Sequence, residues 1–266
     1  MSDWLIERIH TFGDRPFLAQ RSGTYTYSDL DEQIAQHTDA LQSQGLQAGD
    51  VVALETDYSL HGIAALLALF YLRAIAAPIA NASKPEVQQR QQVANANWSL
   101  QIHANTPARL IPLSPPQQSA HALVTKLAES GHAGLILFSS GSTGQPKAMI
   151  HNCDQLLKQF IKKRKRRLSI LIFLLFDHIG GLNTLFNGLA SGARIVTPHS
   201  RDANIVAEAI QHHRVNLLPA SPTFLNLFLL SDAHRHYDLS SLRFITYGTE
   251  PMPESLLLRL KAALPD

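Results

Sequence analysis

Short apolar runs recur along the whole chain and set its architecture. VVALE from Val51, AIAAPIA from Ala74, GLILF from Gly134, AMIH from Ala148, LSILIFLLF from Leu168, ARIVT, VNLLPA and LRFITY are each too short for a buried helix. They read as buried strands. Between them lie stretches of helical character, among them SDLDEQIAQHTDALQSQG with Ser28 as N-cap, an apolar stripe of Leu30, Ile34 and Leu41, and Gly45 as a stop. Other helices are expected at Leu60, near Asp154, in DANIVAEAIQHH, after the Ser221-Pro222 cap and after Pro253. A helix between consecutive strands gives parallel crossovers, so the expected fold is α/β, with largely parallel β-sheets flanked by helices. Pro16 to Tyr27 adds a small hairpin turning at Ser22-Gly23, and NTPARLIPLSPPQQS, residues 105–119, reads as a linker or long surface loop.

The 266 residues suffice for one large domain or two smaller ones, and 45% hydrophobic with 17% charged residues excludes a disordered chain. A net charge of +2 gives no global field toward nucleic acid or membrane. The basic run Lys162 to Arg167 reads as the solvated C-terminal end of a helix, with a nucleic-acid patch as the alternative. Leu60 to Ala80 is the longest apolar stretch, but Arg73 and Pro78 interrupt it before the roughly 18 residues a membrane span needs. A buried helix followed by a buried strand is expected there. The N-terminus MSDWLIERIH lacks the pattern of a signal peptide, and the single Cys153 suits a reducing cytoplasm.

The chemistry concentrates in FSSGSTGQPK, Phe138 to Lys147. Ser139, Ser140, Ser142 and Thr143 supply hydroxyls, Gly141 and Gly144 let the backbone approach a ligand closely, and Lys147 supplies positive charge. Such a turn is built to hold phosphates. It is not a Walker A loop, because Gln145 and Pro146 break that spacing, and Pro146 argues against a helix opening at Lys147. Among the thirteen histidines, His61, His103, His121, His212 and His213 show no pairing at metal-ligand spacing with a carboxylate or cysteine, and no dedicated metal site is expected.

SSGSTGQPK followed by His151 resembles the signature [ST]-S-G-[ST]-T-G-x-P-K of the adenylate-forming superfamily, which includes acyl- and aryl-CoA ligases, adenylation domains and luciferases. TYTYSDL through GDVVAL and SPTFLNLFL resemble further segments of that family, in the same order. The resemblance implies the N-terminal subdomain of such an enzyme, with the C-terminal lobe absent. It implies activation of an acyl or aryl carboxylic acid by ATP to an acyl-adenylate, with pyrophosphate released and the acyl group then captured by CoA or a carrier-protein phosphopantetheine. Ser139, Ser140, Gly141, Ser142, Thr143, Gly144 and Lys147 would grip the phosphates, and His151 would serve structurally at the end of a strand.

FDHIGGL from Phe176 resembles the family's H-x-x-G-L segment, so the resemblance gives His178, Gly180 and Gly181 to the acid substrate. A plain surface or core histidine is the alternative for His178. Phe176-Asp177 also resembles the pair by which amino-acid-activating domains bind an α-ammonium, which makes Asp177 a second substrate candidate. The histidine and glycine pair that follow favour an acid without an amino group.

TYGTEPMPES, Thr246 to Ser255, looks like the family's magnesium motif Y-G-x-T-E but lacks one residue. Its surroundings resemble instead the preceding segment, where a strand ends beside the adenine. Gly248, Thr249, Glu250 and Pro251 are thereby candidates for adenine contact, and the main magnesium ligand is expected beyond Asp266. An inactive truncated homologue that binds nucleotide or a partner protein is the alternative reading.

Overall fold

A computed structural model describes residues 3–21, 23–103, 106–114, 121–140, 146–248 and 250–264, apart from the side chains of 103, 106, 107 and 140. In chain order its strands are β1 (Pro16–Gln20), β2 (Gly23–Thr26), β3 (Val51–Glu55), β4 (Ile75–Ile79), β5 (Trp98–His103), β6 (Thr106–Pro112), β7 (Gly134–Ser140), β8 (Pro146–Asn152), β9 (Ser169–Leu171), β10 (Arg194–Val196), β11 (Leu217–Ala220) and β12 (Phe244–Tyr247). The chain divides into two compact units.

The first unit comprises Met1–Asp14, Tyr27–Lys162 and Leu175–Ile179. Its sheet runs β6-β5-β3-β4-β7-β8. The four inner strands are mutually parallel, whereas β6 and β8 join antiparallel at the edges. Strand β4 is buried along its whole length, and the helix Leu60–Tyr71 packs nearly every side chain inside. Ser59 caps that helix by accepting from the Gly62 amide at 2.9 Å. The apolar stretch is therefore a buried helix and strand, and among the described residues no helix is long and apolar enough to cross a membrane.

The second unit comprises Arg15–Thr26, Lys163–Leu174 and Gly180–Asp266. Its sheet runs β12-β11-β9-β10-β1-β2, parallel except for the β1–β2 hairpin. The helices Ala203–His213 and Pro222–Leu230 bury Val206, Ile210, Leu225 and Phe228 in one core with Leu171 and Leu218. The α/β reading with largely parallel sheets holds in both units.

Several local expectations change. The stretch read as a linker contains β6, with Leu100 opposite Leu110 across an antiparallel pair; its prolines are tolerated because the strand lies at a sheet edge. Residues 115–120 lie outside the described residues. Ser28 does not cap its helix, which runs Tyr27–Ser43; the Ser28 amide donates to Gly13 O and its hydroxyl to Asp14, both at 2.9 Å. Strands β8 and β12 are not buried: each ends its sheet, and Met149, Phe244 and Tyr247 are exposed. Of LSILIFLLF only Ser169–Leu171 is strand. The basic run is exposed and follows the short helical turn Lys158–Phe160, rather than forming the end of a helix.

Candidate functional site

In the first unit, the C-terminal ends of the parallel strands β3, β4 and β7 supply the candidates, as the crevice there commonly binds ligands in open α/β sheets. Strand β7 is buried through Leu135, Ile136 and Leu137 and emerges at Phe138 and Ser139, which are half-buried. Strand β8 returns antiparallel and sets Lys147 opposite Ser139 and Pro146 opposite Ser140. The exposed Lys147 thus pairs with the strand that leads into the serine- and glycine-rich segment, and Pro146 opens a strand instead of a helix. Gly141, Ser142, Thr143 and Gly144 lie outside the described residues.

Asp177 is 9% exposed, and its Oδ2 accepts from Arg90 Nη1 at 2.7 Å and from the Ala80 amide at 3.2 Å. A buried carboxylate is tolerated only when paired and hydrogen-bonded, and here both conditions are met. The neighbouring Phe176 is fully buried and meets Tyr58 edge-on, with ring centroids 5.1 Å apart. These contacts anchor the segment that carries His178, itself exposed, with its amide donating to Leu175 O at 3.2 Å. Arg90 also lies over the Phe138 ring, 5.6 Å from its centroid.

Arg90 was not legible as a site residue. It belongs to the helix Lys84–Val93, which buries no residue and shows no apolar stripe, so the sequence carries no signal that one of its side chains reaches inward. His151 sits half-buried in β8; its Nε2 has no hydrogen-bond partner among the described residues, and burial lowers its pKa. Cys153 is buried, and burial followed by the neighbouring Asp154 carboxylate pushes its thiol pKa well up. That thiol is a poor nucleophile.

In the second unit, Gly180 and Gly181 begin the first turns of the helix Ile179–Ser191; Gly181 is buried, and Gly180 O accepts from the Thr184 hydroxyl at 2.8 Å. At the C-terminal ends of β11 and β12, the Ser221 hydroxyl caps the helix Pro222–Leu230 by accepting from the Phe224 amide at 3.1 Å. Glu250 supplies a second cap: Oε2 accepts from the Thr223 hydroxyl at 2.6 Å and from its amide at 3.2 Å. A carboxylate suits the positive end of a helix. The glutamate of Tyr-Gly-Thr-Glu is therefore spent on the local fold. Gly248 and Pro251 are exposed, a Cβ added at Gly248 would meet open space, and Thr249 lies outside the described residues.

The sequence matches the family described as AMP-binding enzyme over residues 5–266. The chain belongs to that family. It is 31% identical over 143 residues to 4-coumarate--CoA ligase 3 of Arabidopsis thaliana, a match covering 50% of this chain and 26% of the ligase. It is 27% identical over 282 residues to phenyloxazoline synthase MbtB of Mycobacterium tuberculosis, covering all of this chain and 20% of the synthase. The N-terminal domain of FACL13 from Mycobacterium tuberculosis shares the fold, with a TM-score of 0.78 and 22% identity over 98% of this chain and 73% of that one. The matched segments thus cover 26% of the ligase and 20% of the synthase, so the chain corresponds to only part of these curated relatives.

Proposed function

We propose that the chain is part of the N-terminal lobe of an ATP-dependent ligase that activates an acyl or aryl carboxylic acid. A carboxylate oxygen of the acid attacks the α-phosphorus of ATP, the bond to the bridging oxygen breaks, and pyrophosphate leaves with that electron pair. A thiol, of CoA or of a carrier protein's phosphopantetheine, then attacks the adenylate carbonyl; it loses its proton and AMP departs. The observation that carries this reading is the β7–β8 pair, which sets Lys147 against the parallel strand that leads into the segment rich in hydroxyls and glycine. Family membership supports the same reaction class.

Charge builds on the leaving pyrophosphate, and fixed donors aimed at it lower the barrier. Ser139, Ser140, Ser142 and Thr143 supply hydroxyls by residue type, Gly141 and Gly144 carry no side chain to keep a phosphate from the backbone, and Lys147 adds a cation. His178 contacts the acid from the exposed end of the segment anchored by Phe176, and Gly180 and Gly181 are further candidates for substrate contact. Gly248, Thr249, Glu250 and Pro251 approach adenine through their backbone and the Pro251 ring, with the Glu250 carboxylate left on Thr223. Among the described residues no group of three or more His, Cys, Asp or Glu could hold a metal ion, and magnesium would enter the site bound to ATP. The test is acid-dependent exchange of labelled pyrophosphate into ATP by the full-length protein. Exchange with at least one acyl or aryl acid is expected, and none across a broad panel refutes the proposal.

A further inference from the structure

Within the first unit, one cation joins two parts of the proposed site. Arg90 donates to the buried Asp177 at 2.7 Å and lies over Phe138 at 5.6 Å, and Phe138 immediately precedes the phosphate turn. The Ala80 amide, just past the C-terminal end of β4, completes the shell around Asp177 Oδ2. This constellation rests on a helix that has no fully buried residue and packs on the core through the partly buried Val87, so the inward reach of its arginine is matched to the charge of Asp177.

We infer that Arg90 is a positioning and specificity residue: it holds the Asp177–His178 segment against the strand that enters the phosphate turn, and it neutralises Asp177, so the site takes acids that carry no ammonium group. The inference rests on the reading of function above. Its physical basis is charge. A carboxylate beside the acid site would attract a substrate ammonium, whereas one already paired with a guanidinium and hydrogen-bonded to an amide has little to offer a second cation. Arginine is also the cation suited to do both jobs, because its planar group forks onto a carboxylate and stacks on an aromatic face; lysine does neither as well.

The test uses pyrophosphate exchange by the full-length protein, with an acid that supports exchange and its 2-amino counterpart, read as the ratio of the two kcat/KM values. In Arg90→Gln the lone Asp177 carboxylate should favour the amino compound and lower that ratio at least tenfold. Arg90→Lys should fall between it and the wild type, and Arg90→Gln/Asp177→Asn should restore the ratio to within about threefold, because no charge is left behind. A purely structural arginine would lower both rates together and leave the ratio alone. A ratio in Arg90→Gln within twofold of the wild type overturns the inference. So does a wild-type enzyme that prefers the 2-amino acid and loses it in Asp177→Asn.

A double-mutant cycle in urea, read on the 266-residue chain with Arg90→Met and Asp177→Asn, guards against a glutamine variant that fails to fold. Coupling of about tenfold or more in the unfolding constant is expected, and additive effects overturn the pairing. If no acid supports exchange, the proposed function falls, and this cycle alone then decides the Arg90–Asp177 pair.

Discussion

Acid should destabilise the first unit through one buried histidine. His37, on the helix Tyr27–Ser43, is 7% exposed and meets His61 edge-on with ring centroids 5.7 Å apart. Its Nε2 has no hydrogen-bond partner among the described residues. Burial first, and the neighbouring His61 second, lower its pKa from 6.5 to about 4. The folded chain thus binds this proton less readily than the unfolded chain. The contribution of neutral His37 is complete above the unfolded value and is lost as pH falls from there toward the folded one. Between pH 7.5 and pH 5 the linkage amounts to about 2 kcal/mol, a large share of the roughly 5–15 kcal/mol that holds a typical domain. Urea unfolding of the wild type and His37→Leu at both pH values isolates it, because other titrating groups act alike in the two proteins. The wild type should lose about 2 kcal/mol more than the variant on acidification. Equal losses would refute the assignment.

Three further outcomes follow from particular contacts. Gly62→Ala gains about 1 kcal/mol of helix propensity, but the new methyl would stand 2.4 Å from Thr56 Oγ1 and 2.6 Å from Asp57 O. Overpacking of that kind costs about 1–3 kcal/mol and strains the Ser59 cap, worth about 1 kcal/mol more, so a net loss of about 1–3 kcal/mol is expected; a urea midpoint equal to or above that of the wild type contradicts it. Glu250→Ala removes the acceptor of two hydrogen bonds at the start of the helix Pro222–Leu230 and should cost about 1 kcal/mol in urea. No change in midpoint would show that the second cap contributes nothing. Lys147→Ala should weaken ATP binding by the full-length protein about tenfold or more in calorimetry, with unchanged far-UV circular dichroism, and an unchanged affinity rejects Lys147 as a phosphate ligand.

Much of the fold is legible because short apolar runs and helix caps are local signals. The buried helix and strand between Leu60 and Ile79, the Ser221 cap and the hairpin at β1–β2 all follow from neighbours in sequence. Edges are not local. AMIH and LRFITY look like core strands, yet β8 and β12 border only one neighbour each, and a strand's place in its sheet depends on residues far away in the chain. The proline-rich stretch shows the same limit in reverse: β6 forms because β5, whose WSLQIH alternates apolar and polar residues, offers it a partner.

The candidate site divides along the same line. By itself the sequence determined which segment is the candidate phosphate site, since its hydroxyls, glycines and lysine are contiguous and their chemistry needs no distant partner. It also pointed to the glutamate of Tyr-Gly-Thr-Glu as something other than a metal ligand, from the motif's missing residue. Only the tertiary structure decided where two carboxylates spend their charge. Glu250 reaches across 27 residues to Thr223, and Asp177 across 87 to Arg90. A carboxylate's role is set by the cation or amide that meets it, and those partners come together only when the chain has folded.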